Sequence, residues 1–246
     1  MLIGILQTGD VPEALVQRHG EYAPMFEAWL SPAGPGLAFS AYAAHDGEIP
    51  ASPVECDAWL ITGSKHGVYD DLPWIEPLKE FLRAARAAGR PIVGVCFGHQ
   101  LLAETLGGRA AKSAKGWGAG VHDYQVVRRP GWMNGGPDRF AIHAMHQDQV
   151  TAIPEDATVL AASPFCRFAM LAYGDPEAPD AISIQPHPEF DEDYARALVE
   201  MRTGVAIPAA CGAAALASFG RAVNQQDFAR WCVDYLRAAA ARRNAA

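Results

Sequence analysis

Four short apolar runs divide the chain, at residues 2–6, 57–62, 91–95 and 181–185, each bounded by Gly, Pro or Asp. Runs of this length without polar alternation match strands buried on both faces. Between the second and third runs, Ile75, Leu78, Phe81, Leu82 and Ala85 recur at helical spacing within Trp74 to Ala88. Gly89 is placed to stop that helix and Pro91 to open the next strand. Strand, helix and strand in this rhythm predict a parallel sheet with right-handed crossovers. From about residue 120 to 173 the texture changes to alternating polar and apolar positions, as in Val121-His122-Asp123-Tyr124-Gln125-Val126-Val127. That alternation predicts antiparallel strands appended to the parallel core. Residues 191–243 are helical in character, with Phe228, Trp231, Cys232, Tyr235 and Leu236 forming one face. The expected architecture is α/β, an open and mostly parallel twisted sheet flanked by helices, in one domain over residues 1–246.

Composition narrows the function more than the fold. With 246 residues, half of them hydrophobic and a fifth charged, the chain has the make-up of an ordinary globular protein. A formal charge of −8 argues against a general binder of nucleic-acid backbones. The basic C-terminal end (Arg237, Arg242, Arg243) carries the sign that any helix C-terminus favours, so no nucleic-acid partner is expected. Five cysteines, at 56, 96, 166, 211 and 232, are odd in number and scattered, which fits a reducing compartment better than a disulfide framework. Met1 to Leu6 has the texture of a first strand rather than of a signal peptide. The apolar window Val205 to Phe219 is short, mostly alanine and interrupted by Pro208. A cytoplasmic protein without a membrane partner is the expectation.

The chemistry concentrates at Gly94-Val95-Cys96-Phe97-Gly98-His99-Gln100, directly after the third apolar run. Small residues two before and two after a nucleophile let a strand turn sharply into a helix, and here that elbow presents a thiol. A cysteine at a helix N-terminus meets free N–H groups and the positive end of the dipole, which favour thiolate. Such a nucleophile needs a base. His187, in Gln185-Pro186-His187-Pro188-Glu189-Phe190, follows the fourth run and is expected on the same sheet edge, with Glu189 to hold its tautomer. Taken alone, His187 fits a surface histidine in a proline-rich turn equally well; the elbow favours the catalytic reading. An oxyanion hole would draw one N–H from Phe97 and another from the turn Thr62-Gly63-Ser64, where glycine permits unusual backbone angles. Alone, that turn is an ordinary strand ending. His143 and His146 lie three apart, but no cysteine pair or HExxH pattern accompanies them, so no metal is expected. His99 is expected as a helix-face neighbour of the site, and the other cysteines as packing residues.

Together, Gly94-x-Cys96-x-Gly98-x-Gln100, His187-x-Glu189 and the Gly63 turn resemble the class I glutamine amidotransferases, and in particular their stand-alone, GMP-synthase-like members. The likeness runs from the first strand to the His-Pro-Glu turn and includes Met145-His146-Gln147-Asp148-Gln149-Val150. It implies a flavodoxin-like fold, Cys96 as nucleophile, His187 as base, Glu189 as orienting carboxylate, and oxyanion donors at Gly63 and Phe97. It also implies substrate contacts from Gln100 and from the backbone around Gln147, Asp148 and Gln149, and no cofactor. Full GMP synthases add an ATP-using domain with a phosphate loop resembling Ser-Gly-Gly-x-Asp-Ser; Asn134-Gly135-Gly136-Pro137-Asp138 lacks the serines. The implied activity is therefore hydrolysis of glutamine, with ammonia passed to a separate synthetase protein. The alternatives are a γ-glutamyl peptidase with no acceptor, and a non-catalytic binding or regulatory protein on the same fold.

Overall fold

The computed structural model describes residues 1–245. The four apolar runs form strands β1 (Leu2–Leu6), β3 (Ala58–Ile61), β4 (Ile92–Val95) and β11 (Ala181–Ile184). They pair in parallel as β1–β3, β3–β4 and β4–β11. On the outer side of β1 lies β2 (Ala38–Tyr42), also parallel. The alternating segment contributes β6 (Gly118–Val126), β7 (Arg139–His146), β9 (Ala157–Ala162) and β10 (Met170–Tyr173). These are antiparallel and continue the same sheet, giving nine strands in the order β2-β1-β3-β4-β11-β10-β9-β6-β7. A separate ribbon joins β5 (Arg109–Lys112) to β8 (Asp148–Ala152).

Both faces of β1, β3, β4 and β11 are covered, which is why their sequences are unbroken apolar runs. Ile3, Ile5, Leu60, Val93, Val95, Ile182 and Ile184 enter one core, and Trp59, Ile61 and Ile92 point into the other. The first core is roofed by α2 (Tyr22–Leu30) and α7 (Gln225–Ala245), the second by α3 (Ile75–Ala87) and α4 (Phe97–Thr105). The face expected on α7 is buried, and the Tyr235 hydroxyl donates to the Asp180 carbonyl at 2.8 Å. Helix α3 buries the five apolar positions read from its spacing and ends at Gly89, whose φ of 64° is the left-handed conformation glycine tolerates.

Three further α-helices flank the other face of the site. Helices α1 (Glu13–His19), α5 (Glu192–Arg202) and α6 (Ala209–Ser218) pack around a third cluster that includes Val11, Tyr22, Phe190, Tyr194 and Leu198. Asp191 caps α5 by accepting the Tyr194 N–H at 2.7 Å, which fixes where the chain leaves the His187 turn. No helix among the described residues is long and apolar enough to cross a membrane.

Candidate active site

Strands β1, β3, β4 and β11 run the same way, so the residues following each collect at one sheet edge, where open α/β sheets place ligands. Cys96 ends β4 and caps α4 with φ 53° and ψ −101°. It is the single non-glycine with positive φ among the described residues. A strain of about 1–3 kcal/mol is typical of such a backbone and persists only where the surroundings hold it. Here they do. The Cys96 N–H donates to the Ile184 carbonyl at 2.9 Å, and the Gly98 N–H donates to Thr62 O at 3.2 Å. The elbow glycines are required by contact: a Cβ on Gly94 would lie 2.5 Å from Gly98 O, and one on Gly98 would lie 2.6 Å from Ile61 O. Only glycine lets α4 start this close to β3 and β4.

His187 arrives from β11 at the same edge as Cys96. Its Nδ1 lies 2.6 Å from Glu189 Oε1, and its backbone N–H donates to His143 O at 2.8 Å. The ring stacks on Phe190 at 4.0 Å between centroids and 7° between planes, and Tyr194 meets Phe190 edge-on. Gln225, on α7, donates its side-chain amide to the carbonyls of Pro188 (3.0 Å) and Phe190, clamping the turn that carries Glu189. Cys96, His187 and Glu189 are all buried. Burial pushes the His187 imidazole down, but the Glu189 carboxylate and the Cys96 sulfur outweigh it and push it up to about 10. The protonated ring is thus favoured by its two neighbours, Glu189 first and the Cys96 sulfur second.

Gly63 sits opposite. Its φ is not in the left-handed region, so the reason expected from sequence, unusual backbone angles, does not hold. Glycine is needed instead because a Cβ there would lie 2.8 Å from His187 Cε1 and 3.6 Å from Cys96 Cβ. The turn is held from below by Thr8, whose hydroxyl donates to Thr62 O (3.0 Å) or Gly63 O (3.1 Å). Neither the Gly63 nor the Phe97 backbone N–H donates to a protein acceptor among the described residues. Gly63→Ala is expected to lower kcat/KM about 100-fold by displacing the imidazole, with little change in the far-UV spectrum. A rate within twofold of the wild type would show that the ring tolerates the methyl group.

Cys96, His187 and Gly63 open onto a cleft of about 80 Å³, lined also by Gln100, Gln147, Asp148, Lys65 and Arg202. The Gln100 amide is engaged within the protein, donating to Asp148 O at 3.0 Å and Gln185 Oε1 at 3.1 Å. It shapes the floor of the cleft by tying α4 to the start of β8. Gln149 is buried and is not among the lining residues. Of the histidines singled out in the sequence, His146 also lines the cleft, whereas His99 and His143 do not. His99 lies wholly buried beneath the elbow with Nδ1 2.7 Å from Ser183 Oγ, and burial pushes it down to about 3. His146 is pushed down to about 3 by burial as well, while His143 faces the Phe190 carbonyl at 3.0 Å. Being three apart on β7, the pair points to opposite faces of the strand.

The sequence profile of the glutamine amidotransferase class-I family matches residues 42–199. The chain belongs to that family. Its hydrolytic relatives include gamma-glutamyl peptidase 3 of Arabidopsis thaliana, 29% identical over 188 residues, covering 73% of this chain and 74% of the relative. Gamma-glutamyl peptidase 5 of the same plant is 30% identical over 180 residues, 70% of each chain. A glutamine-hydrolysing GMP synthase subunit of Methanopyrus kandleri is 33% identical over 105 residues, 41% of this chain and 52% of that one. Among solved structures, a glutamine amidotransferase from Methylobacillus flagellatus superposes with a TM-score of 0.75 at 21% identity, covering 96% and 93% of the two chains. This class I amidotransferase thus shares its fold with a solved glutamine amidotransferase along nearly its whole length.

Proposed function

We propose that the chain hydrolyses γ-glutamyl amides through a glutamyl thioester on Cys96. The observation that carries the reading is that a strained, buried cysteine and an imidazole whose Nδ1 lies 2.6 Å from the Glu189 carboxylate both face Gly63. The Cys96 thiolate adds to the γ-carbonyl carbon. The resulting oxyanion accepts hydrogen bonds from the Gly63 and Phe97 N–H groups. The C–N bond then breaks as His187 passes its Nε2 proton to the departing amine. Water adds to the thioester while neutral His187 takes its proton, the C–S bond breaks, and the thiolate re-forms as the glutamate γ-carboxyl leaves.

The extent of the likeness to gamma-glutamyl peptidases, about 70% of both chains, supports leaving groups larger than ammonia. A second reading, glutamine hydrolysis feeding ammonia to a separate synthetase, is favoured by the likeness to the GMP synthase subunit. Glutamine and a γ-glutamyl dipeptide assayed side by side separate the two. The expected result is Cys96-dependent glutamate release from both, faster from the dipeptide, with a glutamyl adduct on the Cys96 peptide in acid-quenched mass spectra. Glutamate release without that adduct, and equally fast after Cys96 is alkylated, would overturn the mechanism.

A further inference from the structure

Beyond Lys65 and Arg202 lies a second hollow of about 620 Å³, between the loop after β1 with α1 and the end of α5. Those two cations are the only residues lining both spaces. Neither forms an ion pair or a side-chain hydrogen bond among the described residues, whereas eight of the other fifteen arginines form ion pairs. The hollow's wall is apolar at Val11, Val16, Met201 and Val205. Val205 is 87% exposed and Met201 37%, two of the few large hydrophobic residues left at the surface. Large exposed apolar side chains beside a reactive cleft are characteristic of a ligand surface. Three carboxylates also line it, Asp10, Glu13 and Glu21. Asp10 is 2.9 Å from His45 Nε2, and Glu21 accepts the Val11 N–H at 3.3 Å, so two of the three have partners.

Building on the hydrolase reading above, we propose that this hollow is the leaving-group site, and that it selects γ-glutamyl amides of amino acids that carry a free carboxylate and an apolar side chain. Lys65 and Arg202 stand between the reactive carbon and the hollow, where the carboxylate of a departing α-amino acid lies one carbon from the scissile nitrogen. Charge-assisted pairing there holds the leaving group while its side chain rests on the Val11, Val16 and Met201 wall. Glutamine, with ammonia as its leaving group, gains nothing from this site.

The test compares kcat/KM for γ-glutamyl-leucine, γ-glutamyl-leucinamide and γ-glutamyl-diaminobutane on the intact chain. The expected order is acid over amide by about tenfold, with the cationic substrate slowest, and an acid-over-amide ratio that shrinks as salt is raised. In Lys65→Met and Arg202→Met that ratio falls towards one, a change that general damage to the fold does not produce. Arg202→Lys, which keeps the charge, retains most of it. Equal rates for acid and amide, or a preference for the cationic substrate through Asp10, Glu13 and Glu21, would overturn the inference. If all substrates, glutamine included, are inert, the hydrolase reading fails with it. If glutamine and the amide turn over through Cys96 without an acid preference, only the leaving-group site fails.

Discussion

Replacing Cys96 by alanine is expected to abolish glutamate release, by roughly a million-fold in kcat, the scale seen when one member of a triad acting as a unit is removed. The other cysteines do not line the cleft, and Cys166 and Cys232 are pushed up to about 12 by desolvation. The variant should keep its fold, because alanine preserves the Cβ that packs beneath Gly63 and the N–H bonded to Ile184. Loss of the sulfur also removes one of the two groups that raise His187, so the imidazole should titrate lower, visible in its ring NMR signals. Residual hydrolysis within a hundredfold of wild type, in a preparation free of contaminating enzyme, would falsify the nucleophile assignment.

How far this site is legible in the sequence depends on the range of the forces that build it. β1, β3, β4 and β11 are readable because burial on both faces writes an unbroken apolar run into each. β2 escapes because it is an edge strand with half-exposed residues, Ala38–Tyr42, and no periodicity to betray it. Cys96, His187 and Glu189, which the fold gathers at one sheet edge, can be singled out because each comes with local spacing, two glycines around the thiol and two prolines around the imidazole. Thr8 and Gln225, which brace the Gly63 turn and the Pro188–Phe190 turn, leave no such mark. Their contacts span 54 or more residues in one case and 35 or more in the other, and either side chain would look at home on any surface. Gly63 is the instructive intermediate. Its position follows from the turn, but the reason for glycine lies in the ring of a histidine far along the chain.

Glu189→Gln should cost about four orders of magnitude in kcat and move the pH profile, since comparable substitutions in triads cost about 10⁴. The carboxylate does two things for His187. It fixes the tautomer, accepting from Nδ1 so that Nε2 faces the substrate, and it supplies the largest attraction opposing desolvation. A glutamine amide can present its NH2 to Nδ1 instead, which leaves a neutral ring with its proton on Nε2 and no lone pair there to take one from water. In the wild type the imidazolium persists until its raised value near 10 is passed, so kcat/KM should hold up to alkaline pH and fall only around there. In the variant, burial is opposed by Cys96 alone, and the alkaline limb should move to lower pH. Stability follows the same sign. A histidine raised on folding contributes fully below its unfolded value near 6.5 and loses that contribution as pH climbs towards 10. The variant should therefore lose more of its urea midpoint at pH 6 than at pH 10. An alkaline limb in the same place for both proteins would mean that Glu189 sets the geometry of the ring and not its charge.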